Sequence, residues 1–150
     1  MIETSNYGFM LAHEAASASP RGEVWQRLMD PAAWWDGAHT FSGDASNLSM
    51  DSAAGSAWRE DWEGGSVVHG EIMQVLDQRM LMLSAPFGPL AGTGARCIWT
   101  ITLSDAEGGG TLITSTHRVV GAPGSGLDRL AIPVDQVMGN GISRLAATGD

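Results

Sequence analysis

The feature of this chain that most limits its fold is a series of strand-like runs followed by one long helical run. Between Asn47 and Val120, six runs rich in β-branched, aromatic and alternating apolar residues are separated by breaks that carry Gly, Asp or Pro. Consecutive strands joined by short breaks form hairpins, so this pattern predicts an antiparallel meander. The predicted strands cover residues 47–50, 56–62, 66–76, 79–85, 94–103 and 111–120.

The segment before residue 47 adds a seventh strand and two short helices. Residues 9–17 alternate in polarity, as a half-buried strand does. Ser19-Pro20 and Asp30-Pro31 each place a capping residue before a proline, a pattern typical of helix starts. The second of these helices would carry the adjacent Trp34 and Trp35, of which only one is then expected to face inward.

After the strands, apolar residues recur at three- and four-residue steps from Leu127 to Leu145, which predicts a long helix that begins at Ser125 or Gly126. It is the only long helix available to cover the apolar face of the sheet. We therefore predict a single α+β domain over residues 1–150. A curved seven-stranded antiparallel sheet surrounds the C-terminal helix, and the gap between them forms a natural ligand cavity.

The predicted C-terminal helix contains three residues that are unusual inside a helix. Pro133 removes a backbone hydrogen bond and should kink it. Gly139 and Gly141 each cost about 1 kcal/mol relative to Ala. These glycines would let the helix pass close to the sheet, leave space beneath it, or break it near Asn140.

The element order and three sequence segments resemble a known superfamily. The segments are VWQRLMDPAAWW, then GSVVHGEIMQVLDQRMLML, and then CIWTITLSDAEGGGTLITSTHR. Together they resemble the START-like (SRPBCC) superfamily of helix-grip proteins. Within it they look like the bacterial branch related to the chaperone ATPase-activator and polyketide cyclase/dehydrase families. A further segment, WWDGAHTFSGDASNLSMD, is similar to one in uncharacterised bacterial members, many of which carry an export signal. The resemblance implies binding, carrying or transforming a small hydrophobic molecule, and it assigns no catalytic residue.

Tryptophan is concentrated in one part of the chain, with five of the six indoles between Trp25 and Trp62. A domain of this size does not need so many indoles on one side to fill a core, so we predict an aromatic-lined pocket. The expected ligand-binding residues are Trp34, Trp35, Trp58, Trp62, Phe87, Trp99 and Met138.

Two residues are candidates for acid–base chemistry. Side chains along a strand point alternately to its two faces, so Glu60 shares a face with Trp58 and Trp62. If that face points inward, the Glu60 carboxyl lies among indoles and is a general acid or base with a raised pKa. Alternatively, residues 56–62 form an edge strand whose aromatic face packs under a loop, with Glu60 at the rim of that face. His39 follows the Trp pair at the predicted cavity mouth and is a candidate proton shuttle.

Other site classes find less support. His69 and Glu71 are expected on one strand face, but the histidine spacings do not suit a metal site, and Cys97 is the single cysteine. We predict no metal and no cofactor. The glycine-rich residues 121–126 resemble a phosphate-binding loop, yet no βαβ unit can follow them.

Charge and length limit the remaining partners. The net charge is −9, with eight Arg and no Lys, which argues against nucleic acid and anionic membranes and excludes lysine Schiff-base chemistry. No run is long enough to span a membrane. As the chain stands we expect a soluble cytoplasmic protein, or a periplasmic or secreted one from which an export signal was removed, and we leave a homodimer open.

These observations lead to three hypotheses of function. The first is binding, or transport, of a small hydrophobic or aromatic ligand in a cavity between the sheet and the C-terminal helix. The second is a cyclase- or dehydratase-like enzyme that uses Glu60 or His39. The third is an interaction domain resembling the chaperone activator, which would present an exposed apolar patch.

Overall fold

The computed structural model describes residues 1–147 and shows an α+β fold in which one antiparallel sheet packs against a long C-terminal helix. A four-residue 3₁₀ turn, Leu127–Leu130, leads directly into the 17-residue helix α2. In chain order the elements are β1 (Ile2–Ser5), β2 (Gly8–Ser17), α1 (Arg21–Leu28), β3 (Leu48–Ser49), β4 (Ala57–Trp62), β5 (Gly65–Leu76), β6 (Met80–Ser84), β7 (Arg96–Asp105), β8 (Thr111–Val120) and α2 (Ala131–Ala147).

The sheet has eight strands in the order β1-β2-β8-β7-β6-β5-β4-β3, and every neighbouring pair is antiparallel. Alternation along the strands buries one side of each. In β7 the inward residues are Cys97, Trp99, Ile101 and Leu103. Helix α2 covers this inner face with Val134, Met138, Ile142 and Leu145. The predicted antiparallel sheet and long C-terminal helix are therefore confirmed. Within residues 1–147, no helix is both long enough and apolar enough to cross a membrane.

The strand count of seven is wrong, because the chain begins with an additional strand. All four residues of β1, Ile2–Ser5, are exposed, so they show no alternation that a sequence pattern could reveal. β1 pairs with β2 from Ile2 opposite Leu11 to Ser5 opposite Gly8, and it forms one edge of the sheet.

The second short helix predicted after the first strand is also wrong. Pro31–Ala33 forms only one 3₁₀ turn, and the chain leaves helical geometry at Trp34, whose φ is −139°. Two more 3₁₀ turns, Gly37–His39 and Ala45–Asn47, follow before β3. We call residues 34–47 the capping loop, because they cross one end of the space between the sheet and α2.

Helix α2 tolerates its unusual residues without breaking. It runs continuously through Gly139, Asn140 and Gly141. Pro133 lies in its first turn, just after the 3₁₀ segment, and not in its interior, where a proline would kink the helix. At Gly141 a Cβ atom would lie 2.6 Å from Cζ3 of Trp35. Gly141 therefore allows the helix to approach the Trp35 ring closely.

A β-bulge in β5 changes which residues face inward. Trp58 pairs with Gly70, but the next residue, Arg59, pairs with Val68. His69 is therefore one extra residue, and both His69 and Gly70 are buried, while Glu71 is exposed. The prediction that His69 and Glu71 share a face is wrong because it assumes uninterrupted alternation.

Candidate functional site

Five aromatic rings pack against one another between the sheet and α2. Their centroids lie 5.0–6.1 Å apart, mostly edge to face, an arrangement that aromatic rings prefer. Trp34 and Trp35 are both buried, with an interplanar angle of 82°. The expectation that only one of them faces inward is wrong, because the chain is not helical where they lie. We call this set the aromatic cluster; its members are Trp34, Trp35, Trp58, Phe87 and Trp99.

A pocket of about 230 Å³ lies beside the aromatic cluster. Trp35 and Phe87 stack at 5.5 Å and form its floor, and Val134, Val137 and Met138 of α2 form one wall. The remaining sides come from the capping loop and from the loop between β6 and β7. The residues contributed by these two loops are His39, Thr40, Phe41, Gly88 and Pro89.

The predicted ligand-binding residues fall into three groups. Trp35, Phe87 and Met138 line the pocket. Trp34, Trp58 and Trp99 are fully buried within the cluster, behind the floor. Trp62 lies elsewhere: it is half-buried and packs over Gly65 in the β4–β5 hairpin, where a Cβ atom would lie 2.6 Å from its ring.

The catalytic candidates occupy different environments. The exposed His39 lies at the pocket mouth, and its carbonyl oxygen accepts a hydrogen bond of 3.2 Å from Trp35 Nε1. Glu60 is fully buried beneath the capping loop. Its carboxylate accepts hydrogen bonds from the Phe41 amide (3.0 Å), the Ser42 amide (2.5 Å) and His69 Nε2 (2.7 Å).

These contacts decide the ionisation of Glu60. Burial alone would raise its pKa, but the hydrogen bonds from Ser42, His69 and Phe41 outweigh burial and lower the pKa to about 2. The expected raised pKa is therefore wrong. Glu60 is an anion at neutral pH and holds the capping loop, so it is not available as a general acid. Among residues 1–147, no three His, Cys, Asp or Glu side chains converge as metal ligands would.

Helix α2 holds the start of the capping loop. Arg144 Nε donates to the carbonyl oxygen of Trp34 at 2.8 Å, and Asn140 Nδ2 donates to Asp36 Oδ2 at 3.1 Å. Hydrogen bonds from the Ala38 amide, the largest cause, and from Asn140 lower the pKa of Asp36, and the nearby charge of Arg144 adds to this effect. The loop is thus fixed to both layers of the fold, with its start held by α2 and its middle held by Glu60 of β4.

Sequence reasoning missed several residues of this site. Val134 and Val137 carry a signal, since they precede Met138 on the same helical face, but Thr40 and Phe41 carry none. The role of His69 depends on the bulge. Its ring stacks on Phe87 at 5.6 Å and meets the edge of Phe41 at 5.1 Å, which connects Glu60 to two pocket residues.

Among residues 1–147, three buried polar atoms in or beside the aromatic cluster have no hydrogen-bond partner: Nε1 of Trp34, Nε1 of Trp58 and Nδ1 of His117. By contrast, Trp99 Nε1 donates to Ser115 Oγ at 2.8 Å, and His117 Nε2 donates to the Ala85 carbonyl at 3.0 Å. Burial lowers the pKa of His117 to about 4, so its ring is neutral and Nδ1 is a free acceptor. Each unpaired buried group costs about 1–3 kcal/mol.

Comparison with known sequences identifies no family for the chain. No family profile matches it. Over 68 residues, 45% of this chain, it is 34% identical to the chloroplast protoporphyrinogen oxidase of Nicotiana tabacum. The match spans only 12% of the length of that enzyme.

Solved structures show the fold more clearly. CalU16 from Micromonospora echinospora matches with a TM-score of 0.63 and 19% identity, over 93% of this chain and 73% of its own. DynU16, from the dynemicin biosynthetic locus, matches with a TM-score of 0.66 and 22% identity, over 95% of this chain but 46% of its own length. CV1439 from Chromobacterium violaceum matches with a TM-score of 0.60 and 16% identity, over 92% of this chain and 94% of its own. These likenesses are in fold, and the antiparallel sheet with its long C-terminal helix is consistent with a helix-grip, SRPBCC-like architecture.

Proposed function

We propose that this protein binds, and in that way carries, a small hydrophobic or aromatic ligand in the pocket between α2 and the aromatic cluster. The observation that supports this most directly is the pocket itself. Its floor is two stacked rings, Trp35 and Phe87, and its helical wall is formed by Val134, Val137 and Met138. Apolar lining with a few polar groups at the rim is typical of small-molecule sites.

The size of the pocket limits the ligand. A cavity of about 150 Å³ can hold benzene. The volume here, about 230 Å³, therefore suits a molecule of one or two rings. The chain carries a net charge of −9, which favours a neutral or cationic ligand over an anionic one.

The sequence resemblance supports the same conclusion at the level of family. Within the START-like superfamily, the chain resembles the branch that includes polyketide cyclase/dehydrase proteins and the chaperone activator. Members of this branch share a cavity in the helix-grip fold. DynU16, which shares the fold, comes from a biosynthetic locus. We infer that this chain belongs to that branch and uses its cavity for a small molecule.

Titration of the protein with 1-fluoronaphthalene, followed by ¹⁹F NMR, tests the proposal. Val137→Phe places a ring in the pocket wall and should weaken binding at least tenfold. Ile132→Phe makes a similar change at an exposed position on the same helix, where the native side chain is 66% exposed, and should change affinity less than twofold. Binding that does not saturate, or equal affinity in both variants, would overturn the proposal.

An enzymatic role through Glu60 loses support, since its oxygens already accept three hydrogen bonds and its pKa is lowered to about 2. Among the described pocket-lining residues, His39 is the only ionisable one. A proton-transfer role in this pocket would therefore fall to His39. A carrier should keep its affinity for 1-fluoronaphthalene in the His39→Asn variant.

A further inference from the structure

The pocket floor separates the pocket from two unused hydrogen-bond donors. Trp58 lies directly behind both floor rings, with its centroid 5.2 Å from that of Trp35 and 5.0 Å from that of Phe87. Trp34 contacts Trp58 at 5.8 Å. The indole N–H groups of Trp34 and Trp58 are buried and have no acceptor in the part of the chain that the structure describes.

The other two indoles of the aromatic cluster are paired. Trp35 Nε1 donates to the His39 carbonyl, and Trp99 Nε1 donates to Ser115 Oγ. The unpaired donors are therefore two neighbours, Trp34 and Trp58, and are not spread through the cluster. Buried polar groups in folded proteins normally have partners, so these two adjacent donors beside a pocket are available to an acceptor on a bound molecule.

Phe87 is the floor ring best placed to move. It lies in the loop between β6 and β7, whose start is fixed at Ala85 by hydrogen bonds to Cys97 and His117. Beyond Phe87 the chain passes through Gly88 (φ +56°), Gly92 (φ +80°) and Gly94 (φ +74°). No other atoms lie within 4 Å of the Cβ positions of these three glycines. Phe87 thus lies outside the paired strands, in a loop whose glycines leave the backbone room for another conformation.

We propose that the ligand is a neutral aromatic carbonyl compound, and that its oxygen accepts hydrogen bonds from the indole N–H groups of Trp58 and Trp34 once Phe87 has left the floor. The inference rests on the proposed function and names its ligand class. An aromatic ring fits among the indoles, and a carbonyl oxygen supplies the missing acceptor. A carboxylate is disfavoured, because a buried anion would lose its hydration and the described pocket lining contains neither Arg nor Lys to pair with it.

Two probes of nearly equal shape test this inference: 2-acetylnaphthalene, and 2-isopropenylnaphthalene, in which a CH₂ group replaces the oxygen. Affinities come from competition with 1-fluoronaphthalene. The wild-type protein should bind the ketone at least tenfold more tightly than the hydrocarbon. In ¹H–¹⁵N spectra the indole N–H resonances of Trp58 and Trp34 should move downfield with the ketone and not with the hydrocarbon.

The Trp58→Phe and Trp99→Phe variants form a matched pair within the cluster. Trp58→Phe removes an unpaired N–H and should reduce the preference for the ketone to less than threefold. Trp99→Phe removes an N–H that Ser115 already accepts and should leave the preference intact. The indole spectra of the wild-type protein give the same information should either variant fail to fold.

Two results would overturn the inference. Saturable binding of both probes with equal affinity would show that the indole donors are unused or bound to water, while the proposed ligand-binding function would stand. Failure of 1-fluoronaphthalene and both probes to bind would overturn the inference together with the proposed function.

Discussion

The two ends of the space between sheet and helix are closed in different ways. At the α1 end, Val24 and Leu28 are fully buried, and two guanidinium nitrogens of Arg27 bridge the layers. Arg27 donates to the side chains of Ser17 and Ser19 and to the carbonyl of Leu145, at 3.2–3.4 Å. At the aromatic end, two indole N–H groups have no acceptor and a pocket of about 230 Å³ adjoins them.

The comparison shows how one fold can combine a closed core with a pocket. Both ends use the same sheet and the same helix α2. At the α1 end, Nη1 and Nη2 of Arg27 meet acceptors on neighbouring elements, whereas its Nε is buried without a partner among residues 1–147. At the aromatic end the packing is between large rings. Gly141 has no side chain, which leaves room for the Trp35 ring. Large rigid rings leave gaps that small aliphatic side chains would fill.

The largest effect should come from removing a cluster ring. Trp58→Ala should lower the free energy of unfolding by about 3–5 kcal/mol, because the side chain is fully buried and leaves a cavity. Trp62→Ala, on the same strand but half-buried outside the cluster, should cost clearly less. Denaturant unfolding of both variants measures the difference, and equal losses would contradict the separation of Trp62 from the cluster.

A second test uses acid. His117 has a pKa of about 4 in the folded protein and 6.5 as its ordinary value, so the unfolded chain binds the proton first. Its contribution to stability is complete above pH 6.5 and is lost as the pH falls to 4, by about 3 kcal/mol. When the free energy of unfolding is measured against pH, its loss between pH 6.5 and 4 should be much smaller in His117→Asn and unchanged in His39→Asn. A loss that persists in His117→Asn would contradict the assignment.

The stability that the Glu60 carboxylate contributes by holding the capping loop should be lost at lower pH. Glu60→Gln removes charge-assisted hydrogen bonds and should cost about 2 kcal/mol at pH 7. The folded pKa, about 2, lies below the ordinary value of 4.5, so this stability is present above pH 4.5 and is lost as the pH falls towards 2. The difference in free energy of unfolding between the wild-type protein and Glu60→Gln should narrow over that pH range. Glu71→Gln, at an exposed position of β5, is the control and should change little.

The smallest effect should follow from adding one methyl group. Gly141→Ala would place a Cβ atom 2.6 Å from the Trp35 ring, so the ring or the helix must shift. Overpacking of this kind costs about 1–3 kcal/mol, partly offset by about 1 kcal/mol from the better helix propensity of alanine. We expect a net loss of about 1 kcal/mol in thermal or denaturant unfolding. Ser143→Ala, exposed on the same helix, should be neutral or slightly stabilising.

Periodicity predicted the regular elements of this fold well. The alternating runs that became β2, β7 and β8, and the helical run that became α2, bury one face each, so their residue patterns report their structure. β1 could not be found in this way, because Ile2–Ser5 bury no face. The second helix was a false prediction, because Asp30-Pro31 can start a single 3₁₀ turn as well as a helix.

The site was harder to predict than the fold, because its geometry comes from irregular backbone. The concentration of tryptophan indicated an aromatic interior, and Trp35, Phe87 and Met138 do line the pocket. Trp62 shares the strand alternation of Trp58 but lies beside the hairpin turn. The ionisation of Glu60 depends on the amides of Phe41 and Ser42, which are distant in sequence and carry no side-chain signal.

The bulge at His69 has a genetic consequence. Without His69, the pairing of β4 with β5 would run uninterrupted, since Gly70 would then follow the same register as Val68. The imidazole that joins Glu60 to Phe41 and Phe87 would be lost with it. Gain or loss of a single codon therefore decides whether this ladder carries the imidazole that connects Glu60 to two pocket residues.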